Sequence, residues 1–119
     1  MQKKSSSSVK VYYPKYSVED IVIELRKSLN ILSKELGIEK AILFGSYAKK
    51  SYTIASDMEI LIVFDETKSD EDKVYKTLRK SIKLSRIELH IISKTDYNMA
   101  RASKWITTIE KEGIKILNN

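Results

Sequence analysis

The sequence predicts an α/β (α+β) domain, a small mixed β-sheet flanked by helices. Three observations predict it: one long stretch with apolar residues at helical spacing, several apolar runs of strand length, and connections whose lengths dictate how neighbouring strands run. The chain has 119 residues, 42% of them hydrophobic and 32% charged, with 3 Gly and 1 Pro. That is enough for one domain with a core and too little for two. The composition excludes collagen-like and wholly disordered chains. With no cysteine, a disulfide scaffold and a thiolate-ligated metal are both excluded. The longest apolar run, Ile60 to Phe64, is far short of the roughly 20 residues of a membrane-spanning helix. No basic segment followed by an apolar one opens the sequence, so the expected compartment is the cytoplasm.

The polar opening MQKKSSSS and the following VKVYYPKY predict a flexible N-terminal arm over 1–16, with a single domain over 17–119. From Ser17, the residues Val18, Ile21, Val22, Leu25, Leu29, Leu32 and Leu36 form one helical stripe. Ser17 with Asp20 makes a capping pair, and Gly37 stands where a left-handed cap ends a helix. Ala41 to Phe44 reads as a short buried strand broken by Gly45-Ser46, and Asp57 to Phe64 as a second strand. Ser69 with Asp72 is expected to open a helix whose inner face carries Val74, Leu78 and Ile82. A third strand is expected from Arg86 to Ile92. Thr95 is expected to cap one last helix bearing Met99, Ala102, Ile106 and Ile109, stopped by Gly113, with a terminal strand over Ile114 to Leu117.

Connection lengths place the polar residues. Ten residues separate Ser46 from Asp57, marginal for a parallel return, so the first two strands are expected to be antiparallel. The second and third strands are joined through a helix, which makes them parallel. Gly45-Ser46, the start of the second strand and Glu88 then share one end of the sheet. Asp57 and Glu59, two apart, project from one face, and that face continues as Leu61 and Val63, so the carboxylates form a rim above the core. Clustered carboxylates repel unless cations neutralise them, and hard oxygen ligands with no His/Cys set suit Mg²⁺ or Mn²⁺. A strand ending in Gly and turning into a helix exposes backbone N–H groups to an anion, to which the Ser46 hydroxyl can add a hydrogen bond. Metal ligands beside a phosphate cradle describe nucleotidyl or phosphoryl transfer.

Leu43 to Phe64, LFGSYAKKSYTIASDMEILIVF, resembles the signature of the minimal nucleotidyltransferase family within the DNA polymerase β superfamily. The family pattern of Gly-Ser, ten residues, then Asp-x-Asp or Asp-x-Glu and an apolar strand reads here as Gly45, Ser46, ten residues, Asp57, Met58, Glu59. Glu88 in RIELHII matches the family's third acid, and the closing IEKEGIKIL is similar to how these domains finish. The resemblance spans roughly residues 17 to 117. It implies a nucleotidyltransferase-like fold and two-metal transfer of a nucleoside monophosphate, with AMP from ATP expected, onto an acceptor hydroxyl with release of pyrophosphate. Asp57 and Glu59 would bridge the metals, Gly45 and Ser46 would hold the triphosphate, and Glu88 would bind the metal that activates the acceptor. It further implies Mg²⁺ or Mn²⁺ as cofactor, and self-association or a HEPN-type helical partner in a toxin–antitoxin pair, with antitoxin activity as the role. No membrane is implied, and nucleic acid is not the expected partner.

Departures from the pattern keep a second reading open. Lys49 and Lys50 stand where the family often has Arg-Gly, and Glu replaces the commoner Asp at 59 and 88. An added methylene displaces a carboxylate by over about an ångström, which a catalytic arrangement tolerates poorly. The alternative is therefore an inert domain of the same fold that binds a partner protein. An RNA-binding role for the Lys/Tyr arm is a third reading. Four of the 22 basic residues lie in 1–16, leaving 18 against 16 acids, so the net charge of +6 belongs mostly to the arm. His90 shares a strand face with Glu88 and is expected to pack or hydrogen-bond locally; Trp105 is expected to pack the last helix. Asp65-Glu66 and Asp70-Glu71-Asp72 surround a helix start, where acids favour the dipole.

Overall fold

A computed structural model describes residues 17–45, 58–84 and 86–118. The arm over 1–16, with Ser46 and Asp57, lies outside the described residues. Helix α1 spans Val18–Leu36, as its apolar stripe requires. The Ser17 hydroxyl accepts the Asp20 N–H at 3.1 Å, and Gly37, at φ 70°, closes the helix by donating its N–H to the Ser33 carbonyl. Ile21, Leu25, Leu29 and Leu36 are wholly buried, each burial stabilising by about 1.5–3 kcal/mol relative to exposure.

Strand β1 (Ile38–Phe44) begins directly after Gly37, three residues before the expected Ala41. Strand β2 covers Met58–Phe64 and β3 covers Ile87–Ser93, while β4 covers Ile114–Asn118. Their order across the sheet is β3-β2-β1-β4. The two orientations expected from the connections hold: β1 and β2 are antiparallel, and β2 and β3 are parallel around helix α2 (Glu71–Ser81). The closing strand β4 adds antiparallel to β1, a pairing that local pattern could not assign.

Helices cover both faces of the sheet. Met58, Ile60 and Ile62 join Ala41 and Leu43 in packing against α1 and α2, while Leu61, Val63 and Ile42 face the C-terminal helices. Double coverage explains the unbroken Ile60 to Phe64 run, because a strand buried on both sides has no polar face to alternate. Lys40 of β1 ties the second layer down, its Nζ donating to Tyr97 Oη at 2.8 Å and lying 2.9 Å from Glu110 Oε2.

Two expectations about the helices need correction. The cap of α2 is Asp70, whose carboxylate accepts the Lys73 N–H at 2.8 Å, not Ser69. The Ser69 N–H instead closes the preceding turn by donating to the Asp65 carbonyl at 3.3 Å, so the helix starts after it. Glu71 and Asp72 occupy the first turn, as the dipole favours.

The expected last helix is two helices, α3 (Lys94–Ala100) and α4 (Lys104–Glu112). Ser93, not Thr95, caps α3 by accepting the Asp96 N–H. Ser103 interrupts the run in an extended conformation and caps α4 through the Ile106 N–H. Because of this break Tyr97, not Met99, turns inward; Met99 is 81% exposed and Ala102 is exposed too. Ile106 and Ile109 are buried as expected.

Candidate functional site

The candidate site sits where β1 ends and β2 and β3 begin. Phe44, the last residue of β1, pairs with Glu59, and Gly45 follows at φ 83°. A Cβ on Gly45 would lie 2.6 Å from Glu59 Oε2, so only glycine lets this backbone lie against the carboxylate. Glu59 shares a sheet face with Leu61 and Val63 and marks the point where that face turns from apolar to acidic.

Parallel register sets Glu88 opposite Glu59. Arg86 anchors that register from the left-handed region at φ 60°, its carbonyl accepting the Met58 N–H at 2.8 Å. A non-glycine residue costs about 1–2 kcal/mol there, so neighbouring contacts hold the strand start in place. Arg79 of α2 adds one such contact, donating to the Ile87 carbonyl at 2.8 Å. Glu59 is half-buried and Glu88 mostly exposed.

The described residues also bring in one that sequence reasoning set aside. His90 Nε2 lies 3.4 Å from Glu59 Oε1 and 3.7 Å from Glu88 Oε2. One ligand atom from each of the three residues falls within 4.8 Å of the others. At that separation two carboxylates repel by about 1 kcal/mol in water and about 3 kcal/mol at an effective dielectric near 20, a cost that a cation between them reverses. The His90 ring lies 5.3 Å from Phe44 and 5.7 Å from Trp105, which meet edge to face at 5.9 Å. Trp105 thus projects from α4 to back the site and remains half exposed. Its spacing in the helical pattern carried no hint of this. For His90 the signal was present, since a residue two beyond Glu88 on a strand shares its face.

The residues fit a divalent cation on two counts. Among the described residues His90 Nε2 is buried with no aligned hydrogen-bond partner, and Gly45 sets no side chain against the Glu59 carboxylate. Two other carboxylates lie at the far end of β2. Asp65 is held below its usual range by the Thr67 hydroxyl and N–H, and Glu66 by the Thr95 hydroxyl. They belong to the turn into α2.

The pattern of the family described as "Polymerase beta, Nucleotidyltransferase" matches residues 26–119. The chain belongs to this family. A proposed protein adenylyltransferase of Methanocaldococcus jannaschii is 30% identical over 101 residues, 82% of this chain and 96% of that protein. Among solved structures, a proposed nucleotidyltransferase from Sulfolobus solfataricus superimposes with a TM-score of 0.54 at 17% identity, covering 82% of this chain and 80% of the other. A toxin–antitoxin structure with AMP-PNP gives 0.55 at 17% identity, covering 82% and 73%. These two likenesses establish the nucleotidyltransferase fold. Among the described residues no helix is long and apolar enough to cross a membrane.

Proposed function

We propose that this nucleotidyltransferase transfers AMP from ATP to a hydroxyl of a partner protein, by a two-metal mechanism with Mg²⁺ or Mn²⁺. The observation that most supports the reading is the register of β2 and β3, which sets Glu59 against Glu88 beside the open backbone of Gly45. Asp57, Glu59 and Glu88 are the ligands, and Gly45 with Ser46 receives the triphosphate. Bound cations would neutralise phosphate charge and favour the ionised acceptor. The acceptor oxygen bonds to the α-phosphorus, the bond to the bridging oxygen breaks, and pyrophosphate departs. Glu88 receives the hydroxyl proton, a role its exposure within the cluster supports. We assign the acceptor to a HEPN-type helical protein that is neutralised by modification. The name of the M. jannaschii relative favours a protein acceptor, and the toxin–antitoxin neighbour with AMP-PNP favours an adenine nucleotide and a toxin partner.

The test is label transfer from α-labelled ATP to the co-purifying partner. Glu59→Gln and Asp57→Asn should each lower the rate by at least about 100-fold, the usual scale for losing a charge-stabilising group. Wild-type protein that transfers no label with either metal, or variants equal to wild type, would refute the enzymatic reading. Retention of the partner without transfer would point to the inert binding module.

A further inference from the structure

We propose that His90 is a nitrogen ligand of the cation held at Glu59 and Glu88, and that it makes the site select Mn²⁺ over Mg²⁺. The inference rests on the metal-binding reading above and adds a donor of a different chemical type to it.

Spacing is the first argument. Ligand atoms bound at about 2.1 Å stand about 3.0 Å apart at right angles and about 3.4 Å apart at tetrahedral angles. His90 Nε2 is 3.4 Å from Glu59 Oε1 and 3.7 Å from Glu88 Oε2, close to the separations that a shared ion imposes.

The state of the nitrogen is the second. Among the described residues the buried Nε2 has no aligned hydrogen bond, and the nearest of their carboxylate oxygens lies beyond the 2.7–3.2 Å usual for N–H···O. An orphaned buried nitrogen costs about 1–3 kcal/mol, which coordination would remove. A locally hydrogen-bonded strand histidine would not leave that atom orphaned.

Orientation is the third. The imidazole packs against both Phe44 and Trp105, which also touch each other, while its Nε2 is the atom nearest the acids. Imidazole favours first-row transition ions, whereas Mg²⁺ prefers oxygen and gives up its water reluctantly. Two carboxylates and one imidazole therefore suit Mn²⁺ better than Mg²⁺.

The experiment adds Mn²⁺ alone to the full-length protein and reads it by pulsed electron paramagnetic resonance, with Mg²⁺ affinity measured by calorimetry. Wild type should show coupling from a directly bound ¹⁴N. His90→Phe, which keeps an aromatic ring against Phe44 and Trp105, should abolish that coupling. It should weaken Mn²⁺ binding by at least about tenfold while changing Mg²⁺ affinity less than about twofold. If the variant does not fold, the wild-type coupling alone decides. Mn²⁺ bound to wild type and lost in Glu59→Gln, but without nitrogen coupling, would overturn the role of His90 and leave the carboxylate site standing. No Mn²⁺ binding to wild type at millimolar concentration would overturn both.

Discussion

Replacing Gly45 by alanine separates stability from site geometry. At φ 83° a side chain costs about 1–2 kcal/mol in the backbone. The new Cβ also meets Glu59 Oε2 at 2.6 Å, about 0.8 Å inside the 3.4 Å where ordinary contact begins. Because that oxygen ends a flexible, half-buried side chain, the carboxylate swings aside and the strand stays in place. Melting should fall by about 4–16 °C, from roughly 4–8 °C per kcal/mol in a domain near this size. The displaced carboxylate should reduce Mn²⁺ affinity at least about tenfold, and label transfer by about 100-fold for a misplacement near 1 Å. Gly37→Ala is the matched control. It stands at φ 70° with a Cβ 3.0 Å from Lys68, at the opposite end of the sheet. It should lower the melting temperature comparably and leave Mn²⁺ binding within about twofold of wild type. Thermal melts with parallel Mn²⁺ titrations of both variants decide. Equal, unchanged Mn²⁺ affinity in the two would refute the claim that the open backbone at Gly45 serves the carboxylate.

Two further outcomes test the scaffold. Lys40→Met should cost about 1–2 kcal/mol in urea denaturation by stripping Tyr97 and Glu110 of their shared partner, and should couple with Glu110→Gln by at least about 0.5 kcal/mol; strictly additive effects would show that the pair contributes nothing. Asp65 and Glu66 are held below their ordinary values of 3.8 and 4.5, so the unfolded chain takes up their protons first: their stabilisation is complete above about pH 4.5 and is lost as pH falls through the lowered folded values. Thr67→Val with Thr95→Val should therefore flatten the loss of stability between pH 5 and about pH 3, and an unchanged acid limb in denaturation curves would contradict this assignment.

Much of the fold was legible because its signals are local. The capping hydroxyl of Ser17, the stripe of α1 and the left-handed Gly37 lie within one helix length, and all three hold. Connection lengths were enough to orient β1, β2 and β3. Reading failed where two local signals competed. Ser93, Thr95 and Ser103 can each cap a helix, and the apolar spacing from Met99 to Ile109 tolerates one helix or two. The buried Tyr97 of α3, held by Lys40 of β1, accompanies the two-helix arrangement, and no local pattern contains that contact.

The candidate site divides the same way. Alternation along β2 determined that Glu59 would rise from the rim of the sheet, because a strand has period two. Tertiary structure decided what stands beside it. Register pairs Glu59 with Glu88 and carries His90 along on the same face, while α4 delivers Trp105 from 46 positions away in sequence. These neighbours depend on hydrogen-bond pairing and helix packing between distant segments, which no spacing within a single segment encodes.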